Sequence, residues 1–156
     1  MLSWPEKYTP KKTAVHIHNE LEMDSPPERV WAWLILADVW PTWFSGARDV
    51  RIQGGGRELQ AGSVFRWRTS GVNILSTVEE FVPCERLAWS AHAMGIDAYH
   101  AWLIERTTSG CRVVTEENQN GWLARLGHAA RPNSMNRLHQ AWLEGLRERA
   151  QSGLPP

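Results

Sequence analysis

The chain has 156 residues, with 17 Lys and Arg against 17 Asp and Glu, and a calculated isoelectric point near 7.0. This length fits one domain with its own core, since domains commonly contain about 100–150 residues. The balanced charge argues against a nucleic-acid-binding protein, which normally carries a basic surface. Ten Trp stand beside two Tyr and three Phe. That excess is more than a simple core needs and favours a wide cavity with aromatic walls.

Targeting segments and disulfides are also not expected. The longest apolar run, residues 30–37, is much shorter than the ~20 residues of a membrane-spanning helix. Residues 1–12 lack the charged start, apolar stretch and cleavage site of a signal peptide. Cys84 and Cys111 are isolated and fit no metal or redox spacing. The two cysteines could form one disulfide, but the expectation is two reduced thiols in a cytoplasmic protein without a membrane span.

The N-terminal part predicts a strand followed by two short helices. Residues 1–12 are expected to form a loose arm, and a single domain covers residues 13–150. Apolar and polar residues alternate over residues 13–23, which is typical of a half-buried strand. Residues 26–37 then repeat apolar side chains at helical spacing, and a second short helix begins near Asp38 with Pro41 in its first turn.

The rest of the chain predicts six more strands and a C-terminal helix, so the fold class is α+β. Turn residues separate the strand patterns, which cover residues 50–53, 63–69, 72–82, 86–93, 96–106 and 111–118. Short connections favour an antiparallel meander. A helical stripe follows from Trp122 to about Ala150, with a break or kink expected at Pro132. Residues 151–156 are expected to be a frayed tail.

Several short segments carry a resemblance to a known family: Ser25–Trp31, Trp40–Trp43, Gly62–Trp67, Val78–Pro83, Leu87–Trp89, His100–Trp102 and Thr115–Glu117. In this order the chain resembles the START-like, Bet v 1-like (SRPBCC) superfamily, and within it the polyketide cyclase/dehydrase-like branch. The resemblance covers nearly the whole chain and implies a helix-grip fold. In that fold a curved antiparallel sheet of about seven strands grips a long C-terminal helix over a cavity. Pro132 departs from the continuous last helix of the family.

Strand alternation predicts which side chains face the cavity. If Trp67 points inward, Arg66 and Arg68 point to solvent, although one bulge would invert this order and bring both arginines into the cavity. The expected substrate-binding residues are Phe65, Trp67, Thr69, Ile74, Ser76, Trp89, Trp102, Thr115, Leu138 and Trp142. Apolar walls with a few polar groups are typical of ligand pockets.

His100 and Glu117 are the candidate catalytic residues. A histidine exchanges protons near neutral pH, and Glu117 either orients it or acts as the base itself. The alternative is that the two residues form a buried pair with only a structural role. His16 and His18 share one strand face with Glu20, but no clear further ligand accompanies them, so we expect no metal site and no cofactor.

Three functions remain open, including whether the protein is an enzyme. The first is cyclisation or dehydration of a polyketide-like or aromatic substrate by acid/base chemistry. The second is non-catalytic binding or transport of a hydrophobic, lipid-like ligand. The third is an interaction module that activates a chaperone. The expected partner is a hydrophobic or aromatic small molecule rather than nucleic acid, and the protein is expected to be a monomer or homodimer.

Overall fold

The structure, a computed structural model, describes residues 2–156, and seven strands form one antiparallel sheet. The strands are β1 (Val15–Met23), β2 (Arg48–Ile52), β3 (Val64–Thr69), β4 (Val72–Val82), β5 (Arg86–Ala93), β6 (Ile96–Arg106) and β7 (Cys111–Asn120). Their order in the sheet is β1-β7-β6-β5-β4-β3-β2. Tight connections such as Ser70–Gly71 place consecutive strands side by side, and the first strand pairs with the last.

The helices match the predicted order. From residue 13 onward they are α1 (Pro27–Ile35), a 3₁₀ helix (Ala37–Thr42), α2 (Trp122–Ala130) and α3 (Ser134–Ser152), and the N-terminal arm contains two short 3₁₀ helices, Glu6–Tyr8 and Pro10–Lys12. Pro132 separates α2 from α3, because a proline in a helix interior removes a backbone donor and clashes with the preceding turn. Helix α3 packs against β1 and α1 and is held by the curved sheet. The helix-grip fold is therefore confirmed.

The strand phase is the one predicted from alternation. Phe65 and Trp67 are buried, whereas Arg66 and Arg68 are exposed. The sheet has an irregularity between Val78 and Glu80 on β4, but it does not invert β3. The arginines consequently lie on the outer face and do not enter the cavity.

The N-terminal arm is packed against the sheet, unlike the loose arm that was expected; Met1 lies outside the described residues. Tyr8 is buried and stacks on Tyr99, with ring centroids 5.2 Å apart. Asn118 donates a hydrogen bond to the backbone oxygen of Tyr8 at 2.8 Å, and the Tyr8 hydroxyl donates to Asp97. The physical reason is that the arm buries Tyr99 and its apolar neighbours on the outer face, which would otherwise be exposed to solvent.

The C-terminal tail is also partly held. Helix α3 continues to Ser152, two residues beyond the predicted end. The indole Nε1 of Trp33 on α1 donates to the backbone oxygen of Gly153 at 2.8 Å. This contact joins the end of α3 to α1, and Leu154 beyond it is exposed.

Two chemical features accompany this fold. Across residues 2–156, none of the helices has the length and apolar composition needed to cross a membrane. Cys84 and Cys111 are free thiols in this structure, and Cys111 is buried.

Candidate functional site

A cavity of about 540 Å³ lies between the inner face of the sheet and helices α2 and α3. Strands β3 to β7 supply one wall, and the two helices supply the other. The strand residues that line it are Trp67, Thr69, Val72, Ile74, Trp89, Ala91, Ile96, Ala98, His100, Glu117 and Gln119. Most of these side chains are apolar, and three of the polar ones, His100, Glu117 and Gln119, lie on β6 and β7.

Tightly packed aromatic rings close one end of the cavity. Trp142 of α3 stacks on Phe44 with ring centroids 4.5 Å apart, and Trp40 meets it edge-on at 5.1 Å. Trp67 and Trp89 complete the contact with centroid distances of 5.8 and 6.0 Å from Trp142. Trp67, Trp89 and Trp142 therefore have two roles, because they pack in the core and also line the cavity.

Glu117 joins two histidines at the polar end of the cavity. His100 on β6 and Glu117 on β7 are direct cross-strand partners, and His100 Nδ1 lies 3.3 Å from Glu117 Oε2. His139 of α3 places its Nε2 at 3.1 Å from the same oxygen. The two imidazole rings are stacked, with centroids 4.7 Å apart. Three elements thus meet at one carboxylate oxygen.

Neighbouring polar side chains orient this group. Thr115 Oγ1 lies 2.6 Å from His100 Nε2, and Gln119 donates to the second oxygen of Glu117. Within residues 2–156, His139 Nδ1 and the indole Nε1 atoms of Trp89 and Trp142 are buried without a hydrogen-bond partner. Buried polar groups normally have partners, but these atoms have almost no accessible surface, so a ligand in the cavity reaches them only if the side chains move.

Burial changes the ionisation of the group. Desolvation, followed by the neighbouring His139, lowers the pKa of His100 to about 3, so this imidazole is neutral at pH 7. Desolvation acts to raise the pKa of Glu117. The hydrogen bond with His139, the positive charge of each imidazole when it is protonated in the acid range, and the Gln119 amide outweigh it, and the net pKa is lowered. The carboxylate is therefore ionised in a largely apolar surrounding.

The predicted site residues fall into two groups. Those that line the cavity are Trp67, Thr69, Ile74, Trp89, His100, Glu117, Leu138 and Trp142. Phe65, Ser76, Trp102 and Thr115 are buried behind this lining. Ser76 accepts a hydrogen bond from Trp67 Nε1 at 3.1 Å, so it orients a wall residue.

His139 is the member of the site that the sequence analysis did not select. It follows Met135 by four residues and precedes Trp142 by three, so it lies on the inner face of α3. A histidine inside an otherwise apolar helical stripe is the signal that was available. Nothing in the sequence, however, indicates which strand residue it meets.

The curved sheet, the long C-terminal helix and the cavity between them define a protein of the helix-grip class. A family model described as polyketide cyclase/dehydrase and lipid transport matches residues 14–151. The chain therefore belongs to that family. No curated protein matches the sequence.

Solved structures agree with this assignment. A hypothetical protein, jhp0584 from Helicobacter pylori, has a TM-score of 0.89 at 29% identity, with 96% of each chain covered. The ZhuI aromatase/cyclase from Streptomyces sp. R1128 has a TM-score of 0.74 at 16% identity, covering 88% of this chain and 93% of that one. StfQ, a di-domain aromatase/cyclase from the steffimycin biosynthetic pathway, has a TM-score of 0.75 at 11% identity and covers 91% of this chain and 52% of that one. The last two likenesses concern the fold alone.

Proposed function

We propose that this protein cyclises or dehydrates a polyketide-like or aromatic substrate in the cavity, with Glu117 as the general base. The observation that carries the proposal is the placement of Glu117. Among the described residues it is the one acidic side chain in the cavity wall, and two imidazoles hold it. Membership of the polyketide cyclase/dehydrase family supports this reaction class.

Accessibility separates the roles of the three side chains. The Glu117 side chain is 11% exposed, whereas His100 and His139 are each 2% exposed. The carboxylate is thus the group that a substrate reaches, and it removes the proton next to a substrate carbonyl. Because its lowered pKa makes it a weak base, this step also needs hydrogen bonds to the carbonyl that acidify the proton. His100 and His139 are positioning residues in this proposal, because they hold the carboxylate through Nδ1 and Nε2.

The remaining groups fit a flat ligand that carries oxygen atoms. Thr69 brings a hydroxyl group to the cavity wall, and a carbonyl that accepts from it becomes more electrophilic. The cavity volume of about 540 Å³ lies inside the range of about 300–1,000 Å³ that is usual for small-molecule pockets. Aromatic walls favour a ligand with fused rings.

The test begins with native mass spectrometry of protein purified from its own host, which identifies the bound ligand class. Turnover is then measured with that ligand or its linear precursor. We expect Glu117→Gln to lower kcat by about 100-fold or more, with the dissociation constant of the ligand little changed. His100→Ala, which removes a positioning contact, is expected to abolish turnover while binding persists.

The matched control is Glu116→Gln on the same strand. Glu116 points to the outer face, where it contacts His18, so its substitution should leave turnover unchanged. Full activity in both Glu117→Gln and His100→Ala would refute the proposal. Ligand entry should also shift or quench tryptophan fluorescence, since Trp67, Trp89 and Trp142 line the cavity.

Transport of a hydrophobic ligand is the second candidate, and one feature of α2 favours it. Trp122 is 61% exposed and Leu126 is 60% exposed, on the helix that also supplies Leu123 and Gly127 to the cavity wall. A carrier uses such an apolar face where its ligand enters or leaves. If the protein is a carrier, the extracted ligand stays chemically unchanged, and Glu117→Gln transfers it between vesicles as fast as the wild type. A chaperone-activating module would need neither the cavity nor the buried carboxylate.

A further inference from the structure

The spacing of the three polar side chains suits an ion as well as a proton. His100, Glu117 and His139 each offer one ligand atom, and these atoms lie within 4.8 Å of one another. The contacts to Glu117 Oε2 measure 3.1 and 3.3 Å. Two ligands that lie ~2.0–2.1 Å from a tetrahedral zinc ion are separated by about 3.3 Å. The two imidazole rings are stacked, so one ring has to rotate about its side-chain bonds before both nitrogens face a shared ion.

The charge of Glu117 points in the same direction. Among residues 2–156 its ion-pair partners are the two histidines, with no lysine or arginine in contact. A buried charge is normally paired or coordinates a metal. Glu117 and both histidines are buried, so bulk solvent does not supply the permanent cation that the described residues leave out.

The polar neighbours orient the ligands as the outer shell of a metal site does. When His100 donates its Nε2 proton to Thr115, its Nδ1 presents a lone pair to Glu117 Oε2. In the metal-free protein the other tautomer donates Nδ1–H to Glu117 Oε2, and an ion takes the place of that proton. Gln119 holds the other oxygen of Glu117. Partners of this kind set the orientation of metal-binding side chains.

We propose that His100 Nδ1, Glu117 Oε2 and His139 Nε2 bind one divalent transition-metal ion of the zinc type. Two imidazoles and one carboxylate suit zinc and neighbouring first-row ions, whereas calcium and magnesium need more oxygen ligands. All three residues line the cavity, so the remaining coordination position faces the ligand space.

This inference goes beyond the proposed acid/base function and does not rest on it. An ion at this point takes the place of the protons between the carboxylate and the imidazoles. The metal-bound protein would then polarise a ligand oxygen as a Lewis acid, and the metal-free protein retains Glu117 as a base. The metal-binding proposal is tested independently of the acid/base proposal by measuring metal binding without any organic ligand.

The experiment uses the full chain after treatment with a chelator, and its probes are Zn²⁺ and Co²⁺ alone. Calorimetry is expected to show one Zn²⁺ per chain, and Co²⁺ should give the visible absorption of a low-coordinate nitrogen/oxygen site. Glu117→Gln and His139→Gln should each weaken Zn²⁺ binding by about 100-fold or more, and Thr115→Val by about 10-fold. Circular dichroism checks that each variant folds.

The control is the surface cluster on β1. His18 contacts Glu116 at 2.6 Å and Glu20 at 3.2 Å, which makes it the competing adventitious site. Zn²⁺ binding that survives His18→Ala and is lost in His139→Gln supports the proposal. Absence of stoichiometric binding in the wild type, or loss in His18→Ala alone, overturns it. If the site variants do not fold, X-ray absorption of the Zn²⁺-loaded wild type decides, because the buried site predicts two imidazoles and one carboxylate.

Discussion

We predict that Trp142→Ala lowers the free energy of unfolding by about 4 kcal/mol. Trp142 is 2% exposed, and its ring contacts Phe44 and Trp102 at centroid distances of 4.5 and 5.1 Å. Truncation of a buried aromatic residue to alanine typically costs about 3–5 kcal/mol, and each aromatic pair adds about 0.5–1.5 kcal/mol beyond the area that it buries. Because α3 contributes this ring, the loss weakens the contact between the helix and the sheet.

Urea unfolding followed by circular dichroism measures the effect. With a slope of about 2 kcal/mol per molar urea, the midpoint should fall by about 2 M. Trp142→Phe keeps a ring in place and should lose less, which covers the case in which the alanine variant does not fold. The control is Trp122→Ala, since Trp122 is 61% exposed and its loss should change stability by no more than about 0.5 kcal/mol. Equal losses for Trp142→Ala and Trp122→Ala would refute the reasoning.

Two further predictions concern a turn and the N-terminal arm. Gly121 has φ of +107°, and a Cβ there would lie 2.2 Å from the Gly95 oxygen, so Gly121→Ala should lower the free energy of unfolding by at least ~2 kcal/mol. Gly127 lies in open space on α2, so Gly127→Ala should raise the free energy of unfolding by up to ~1 kcal/mol. A similar effect at both positions would contradict this account. Burial acts to raise the pKa of Asp97, but hydrogen bonds from Tyr8 and a neighbouring lysine outweigh it and lower the net value below the ordinary 3.8. The stabilisation by Asp97 is therefore present above its ordinary pKa and is lost as the pH falls through the lowered one. Because Asp97 is partly exposed, thermal melts below about pH 4 should show that the wild type loses only ~1 kcal/mol of unfolding free energy. Asp97→Asn should lack this acid-dependent loss. Identical pH profiles of stability for the two proteins would rule out this role of Asp97.

The acid/base proposal and the metal proposal both involve the Glu117 carboxylate. Glu117 is held by groups from β6, β7 and α3, whereas most of the cavity wall is apolar. A substrate or an ion that needs a polar partner inside this cavity meets the same carboxylate. Substitution at Glu117 therefore affects both tests, and the separate readouts of turnover and metal binding keep them apart.

The sequence by itself determined the order of the elements and the alternation of side chains along the strands. Alternation along residues 65–68 separated the two arginines from Phe65 and Trp67, because a strand has a period of two residues, and the structure decided which pair is buried. Pro132 indicated the break between α2 and α3, because its backbone has no donor. These features depend on neighbours in the chain, so a local pattern is enough to predict them.

Only the tertiary structure decided what the polar residues do. The sequence analysis selected His100 and Glu117 from their strands, but His139 joins them through the angle at which α3 crosses the sheet. Tyr8 is likewise packed because the outer face of the sheet offers Tyr99 as a partner. Such contacts join residues far apart in the chain, and their geometry is set by the packing of the helix on the sheet. For this reason the composition predicted an aromatic cavity, whereas the carboxylate held by two imidazoles emerged only from the folded chain.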